Sequence, residues 1–286
     1  MTSAALLALN GISLAALLFL VSSGFTVTFG LMRVVNMAYG SYYLLGGYIG
    51  LAVALASGSF LLAIMAGGLS IVVLGFMVDR FLIRPLGENH LAQVLLTVGV
   101  AFVIGDVCLG IWGGDNLKVP VASMLQGAIE LPGGLYYPRY RLFLIVVGIV
   151  SALGLWLVHR HTQIGALVRA GVDDREILNA TGVHVDRLFV IVSAFASFFA
   201  GMAGVIGGAY LTLSPGGEWE ILVLALVVVI IGGLGSLEGA MLGSLIVGLL
   251  DAYGRWLLPE FSYFVLFGPM AVLLLFRPTG LLGKAH

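Results

Sequence analysis

Apolar residues run along this chain in long blocks, not in the alternating pattern of a half-buried strand. Residues 1 to 32 hold no Asp, Glu, Lys or Arg, and neither do residues 34 to 78. As a single helix the second block would span roughly 68 Å, about twice a hydrocarbon core of ~30 Å. It must fold back at least once, and Ser57-Gly58-Ser59 is the turn signal inside it. Further apolar blocks follow at residues 92–112, 142–159, 188–211, 221–258 and 263–280. Barrel strands would be blocks of about ten residues alternating in polarity. These blocks are longer and apolar on every side, and a helix satisfies its own backbone polar groups in lipid. The pattern predicts an all-α, polytopic transmembrane helical bundle of about eight or nine spanning elements. Some of these are broken by Gly, and residues 1–286 form a single membrane domain. The first block lacks a basic start and runs past the length of a removable signal, so it reads as a first membrane helix.

Composition removes the alternatives. Of 286 residues, 60% are hydrophobic and 9% are charged, against about a quarter charged in an ordinary soluble domain. That is too little charge to clothe a soluble fold, which excludes a soluble enzyme and a disordered chain. A formal net charge of −1 leaves no electrostatic footprint for nucleic acid. Cys108 is the one cysteine, so there is no internal disulfide or cysteine metal cluster. His159 and His161 lack a third ligand nearby, so no metal site is expected. There is no G-x-x-x-x-G-K-[ST]; the nearest text, Gly280-Leu281-Leu282-Gly283-Lys284-Ala285, has the wrong spacing and no hydroxyl. With no nucleophile–base set either, neither enzymatic activity nor a cofactor of the chain's own is expected. Among carboxylates in apolar blocks, Asp106 and Asp251 fall near helix ends and read as interfacial.

The few charges are concentrated. Residues 160–187 carry eight of them. Lys and Arg favour cytoplasmic loops. Arg80, Arg84, Arg160, Arg169, Arg175, Arg187, Arg277 and Lys284 fall in one set of segments, and Lys118, Arg139, Arg141 and Arg255 in the other. The first set is therefore read as cytoplasmic, with the C-terminus on that side and the side of Met1 open. Within residues 160–187, Asp173 and Glu176 have capping-box spacing, and Gly182 lies where a left-handed C-terminal cap would fall. One short amphipathic helix is expected, with Ile177, Leu178 and Ala180 as its apolar side. Short helices are marginal alone in water, so this one needs a surface to dock on, and a partner protein is a natural candidate.

Two apolar blocks are interrupted. In GFTVTFGLMRVVNMAYGSYYLLGGYIG, residues 24–50, Arg33 and Asn36 stand in apolar sequence punctuated by Gly. Arg33 either snorkels from a helix end or marks a pathway. Arg33, Asn36, Tyr39 and Gly40 are the candidate translocation-path residues. In the second block, Gly232, Gly233 and Gly235 break the run. Gly235, Gly239 and Gly243 then recur at four-residue spacing, as do Gly204 and Gly208 in the preceding block. Such spacing puts small residues on one helix face for close packing. Glu238 is read as lying at an inner turn.

Across these segments the chain resembles a known family. These are the permease subunits of bacterial ATP-binding cassette (ABC) importers for branched-chain amino acids, the leucine/isoleucine/valine type. The resembling segments are residues 24–50, Arg84-Pro85-Leu86, TQIGALVRAGVDDREILNATGVHVDR, IIGGLGSLEGAMLGSLIVG and the closing RPTGLLG. Tyr39 departs, standing where many members have His. The resemblance implies a path between this chain and a second homologous permease subunit. It also implies two cytoplasmic P-loop ATPase subunits, which bind the ATP, and a periplasmic or extracellular substrate-binding protein. It places Gly165, Arg169, Ala170, Glu176, Ala180 and Gly182 in the loop that couples to an ATPase. The implied setting is the bacterial inner membrane, with lipid around the helices and no nucleic acid as partner. The implied substrate is a branched-chain or similar amino acid. Urea or short amides are the alternative within the family, and an ion-coupled secondary transporter or a non-transporting scaffold the alternatives outside it.

Overall fold

The computed structural model describes residues 2–32, 36–87, 89–131, 134–173 and 175–283. Helix α1 (Thr2–Met32) leads to α2 (Tyr39–Ser57) and α3 (Phe60–Met77). The α3 helix continues through a π turn at Val78–Ile83 and a 3-10 turn at Arg84–Leu86. Next come α4 (His90–Trp112), a small hairpin of β1 (Ala128–Leu131) and β2 (Leu135–Pro138), and α5 (Arg139–His161). The chain goes on through α6 (Gln163–Asp173), α7 (Arg175–Ala180), α8 (Val185–Tyr210), α9 (Gly217–Gly232), α10 (Leu237–Leu257) and α11 (Ser262–Phe276). Among the described residues, 7 helices are long and apolar enough to cross a membrane: α1, α2, α3 with its extension, α4, α5, α8 and α10. The apolar α9 and α11 are shorter, at 16 and 15 residues.

The predicted turn is there for the predicted reason. Gly58 ends α2 in the left-handed region at φ 66, and the Ser59 side chain accepts from the Leu62 backbone N–H to start α3. Asn89 and Ser236 cap α4 and α10 in the same manner. Gly233, at φ 105, closes α9, so the glycine break separates two helices. The β1–β2 hairpin, paired antiparallel from Ala128↔Pro138 to Leu131↔Leu135, went unforeseen in the polar stretch before α5.

Two faces follow from the contacts. On one, the hairpin face, Arg141 donates to Asn10 Oδ1 and Ser13 Oγ meets the Tyr137 hydroxyl at 3.0 Å. The start of α1 therefore lies with the β-hairpin, the ends of α4, α8 and α10, and the start of α5. The other face carries α6 and α7. Between them, Leu17, Leu44, Ile71 and Ile206 are fully buried in the central core. Outward-facing Leu61, Phe102, Val150 and Leu275 are exposed, and an apolar exterior over polar-poor helices is one that hydrocarbon covers.

Candidate functional site

Between α5 and α8 the described residues form α6 and α7. Thr162 begins the first: its hydroxyl accepts from Gly165 N–H at 3.1 Å while donating to Val158 O at 2.6 Å. Gly165 is needed there, because a side chain would strike the Val158 and His159 carbonyls at the end of α5. Val168 of α6 and Leu178 of α7 are buried against Val185, Leu188, Phe189 and Val192 of α8. This small core explains why helices too short to persist alone are formed.

The capping pair falls at Asp173 and Glu176, whose side chains lie outside the described residues. Two expectations change. Of the supposed apolar side, Leu178 is buried, but Ile177 and Ala180 are exposed. The amphipathic character lies in α6, where Gly165 and Val168 face inward, Arg169 is half-buried and Ala170 is exposed. Gly182 stands as expected, at φ 84 just past α7, its N–H donating to Asn179 O at 3.1 Å. Glu176 lies in α7, and its side chain lies outside the described residues.

The entrance to α2 gathers the candidate path residues. Arg33 lies outside the described residues. Asn36 is buried, and its Oδ1 accepts from Ala38 N–H at 2.9 Å, a turn-forming contact. Met37 N–H donates to Thr97 of α4 at 3.1 Å, and Ser41 Oγ to Ala101 O at 3.1 Å. Tyr39 is only 1% exposed. Thr28 donates to Gly24 O, so the Tyr39 hydroxyl donates to Thr28 Oγ1 at 2.8 Å. Its ring meets Phe25 and Tyr42 edge-on at 5.7 and 5.6 Å. Gly40 is pressed against α9: a side chain there would meet Glu218 O at 2.5 Å and Leu222 Cβ at 3.0 Å. In this conformation Tyr39 and Gly40 are packed between helices.

The family described as branched-chain amino acid transport system, permease component, matches residues 7–274. The chain belongs to that family. It is 26% identical over 96% of its length to the high-affinity branched-chain amino acid transport system permease protein BraD of Pseudomonas aeruginosa, covering 94% of that protein. It is 25% identical over 96% of its length to the corresponding protein LivH of Escherichia coli, covering 94% of it. To the ribose import permease protein RbsC of Escherichia coli it is 30% identical over 46% of its length, covering 42% of that protein. No solved structure matches the chain.

In this permease the glycines do two kinds of work. A side chain on Gly204 would enter the Tyr43 carbonyl of α2 and stand 2.8 Å from Gly47 N. Gly239 and Gly243 of α10 face the backbone of α9 at Gly232 and Val228. Gly208 packs instead against Leu213 and Val119 of the loops on the hairpin face, and its carbonyl accepts from Val119 N–H at 3.3 Å. Gly235 is not on α10 at all. It sits in the preceding turn at φ 81, against Gly30 of α1, because α10 starts only at Leu237.

Two carboxylates escaped the sequence reading. Asp79, 3% exposed inside the π turn, lies 3.8 Å from Arg84 Nε. The signal was present: Asp79 is the first charged residue after the uncharged stretch at 34–78, and Arg84 follows five residues later. Glu218 is 5% exposed, and its Oε2 has no hydrogen-bond partner among the described residues. It falls between the apolar blocks at 188–211 and 221–258, and α9 begins at Gly217 and carries it against Gly40 of α2. Glu238 is exposed in the first turn of α10. Asp106 is exposed on α4, and Asp251 is half-buried near the end of α10. Among the described residues no group of three His, Cys, Asp or Glu side chains converges as a metal ligand set.

Proposed function

We propose that this multi-pass membrane protein is the single-domain permease subunit of an ABC importer. It moves branched-chain or similar amino acids into the cytoplasm while separate P-loop subunits hydrolyse ATP. The observation that carries this reading is the α6–α7 pair. It is a polar, two-helix platform with its own small core, seated on α8 and presenting Ala170, Ala180 and Gly182 outward. A passive connecting loop has no need of such a core. An ATPase that must pull on the bundle does need a rigid handle.

The reading places α6–α7 and the C-terminus on the cytoplasmic side of the inner membrane. It places the β-hairpin outside, where a substrate-binding protein delivers its load. A second permease, homologous to this one, completes the path beside Asn36, and Arg33, Gly165, Arg169 and Glu176 belong to the working surfaces of the complex. The transport systems named for the relatives support the choice of substrate.

The test is reconstitution with the partner ATPases, second permease and binding protein in proteoliposomes. Ala180→Trp should lower ligand-stimulated ATP hydrolysis at least tenfold without reducing membrane insertion. Uptake that needs an ion gradient and ignores ATP would favour a secondary transporter instead.

A further inference from the structure

A groove of about 70 Å³ opens between α5 and α8, floored by Ser23, Gly24 and Val27 of α1 and capped by Ile164 and Val168 of α6. Its lining is apolar almost throughout. The Ser23 hydroxyl is already used, donating to Leu20 O at 3.0 Å. A buried water needs about 2–4 polar partners, and apolar cavities stay dry and take up hydrocarbon instead. The outer edges of the groove are exposed: Val158 on α5, and Ile191 and Phe195 on α8, the last at 50%. The groove is therefore continuous with the lipid-covered exterior, and an acyl chain is what reaches it at that depth.

The charge at the end of the groove selects the lipid. Arg187 stands one helical turn before Ile191 and two before Phe195, on the same side of α8. It is exposed in the first turn of that helix, and among the described residues it makes no ion pair. The α5 corner is different. There His159 lies within reach of both the Arg169 and the Glu238 charges, so neither sign prevails. Arg160 does not line the groove, and its guanidinium rests over the Trp156 ring at 5.3 Å. A lone surface arginine is ordinary. One placed a turn beyond an open apolar slot stands where the headgroup of a lipid lying in that slot must come, and basic groups at a membrane face attract anionic lipid.

We propose that this groove binds one acyl chain of an anionic phospholipid, with the headgroup phosphate paired to Arg187. The chain lies along Ile191 and Phe195, against Val158, and touches Ile164 and Val168 of α6. Because α6 caps the groove, the lipid props the α6–α7 platform against α8. The site lies within one chain and is separate from the candidate path residues at the start of α2. It needs no ATPase, substrate or second permease, and it stands whichever way solute moves.

The experiment titrates the purified full chain with phosphatidylglycerol or phosphatidylcholine of the same acyl chains and counts bound lipid by native mass spectrometry. Phosphatidylglycerol should bind about fivefold more tightly, the worth of one arginine beside an anionic lipid. Arg187→Gln should erase that preference and leave phosphatidylcholine binding as it was. Ile191→Trp, which fills the slot from an exposed position, should weaken both lipids. Arg160→Gln should change neither. No preference in wild type, or equal effects of Arg160→Gln and Arg187→Gln, overturns the site, because charge would then act diffusely. Glycerol phosphate, which has the phosphate but no chains, should not compete; competition would make this a free-phosphate site and overturn the lipid. In proteoliposomes with the partner subunits, a benzophenone side chain at Phe195 should label lipid, and a cross-link to the second permease in its place overturns lipid as the occupant. Chymotryptic cleavage within residues 162–184 should slow when phosphatidylglycerol is added to wild type and not when it is added to Arg187→Gln. Equal cleavage in both overturns the propping of the platform.

Discussion

The junction of α2, α3 and α8 and the α6–α7 pair are assembled by opposite means. At the junction, Gly46, Gly67, Gly201 and Gly204 let three backbones touch, so that a Cβ at any of them would run into a neighbouring main chain. Lipid gives helices little reason to associate through apolar side chains, because tails are as apolar as leucine. Close backbone approach supplies dispersion contacts instead. The α6–α7 pair is held the way a water-soluble fragment is held. Val168, Leu178 and Phe189 leave water together, and polar and small groups stay outside. The contrast shows where rigidity is built in. The centre of the bundle tolerates no added atom, whereas the platform tolerates surface change and fails when its core is made polar.

The largest effect expected from this contrast is at Gly204. Gly204→Leu drives a side chain into the Tyr43 carbonyl, and a backbone atom cannot rotate aside as a flexible side chain can. Extracted protein should lose its monodisperse peak in size-exclusion chromatography. A variant with wild-type yield and thermal stability would mean that the junction is looser than its contacts indicate.

Next in size is Leu178→Asp. Burying a carboxylate in the cluster around Val185 and Leu188 costs about 2–5 kcal/mol, but the loss should stay local. Limited proteolysis should cut within residues 162–184 at least tenfold faster, with α2 and α8 remaining protected. Ligand-stimulated ATP hydrolysis should fall with it. Collapse of the whole bundle would erase the distinction between the two regions.

The two regions were legible to different degrees. Long uncharged blocks announced membrane helices because lipid admits few other backbone solutions. Ser57-Gly58-Ser59 and Gly232-Gly233 announced their breaks because a left-handed glycine or a hydroxyl cap has a local signature. The partner of each glycine was not legible. Gly204 and Gly208 share a spacing, yet one meets α2 and the other meets the loops through Leu213 and Val119, since spacing fixes a face but not what lies opposite. In the platform, the cap at Gly182 was readable from local sequence. Helix α6 was not, because the apolar face that docks it on α8 is too short to announce itself. Glu218 was hidden because it stands between two apolar blocks, where nothing local shows that α9 begins at Gly217.

The smallest expected effect is at Tyr39, the residue that most directly sets packing against transport. Tyr39→Phe removes one hydrogen bond to Thr28, which keeps its own bond to Gly24 O. The ring contacts with Phe25 and Tyr42 remain available to Phe. The loss should be about 1 kcal/mol, the usual net worth of such a bond. Thr28 loses a donor to an oxygen already engaged, so no bare buried polar atom is left to raise that figure. Thermal unfolding should register a small decrease, and uptake should stay within about twofold of wild type. Abolished uptake at unchanged stability would mean that the hydroxyl turns toward substrate in another state of the cycle, and Tyr39 would return to the path beside Asn36.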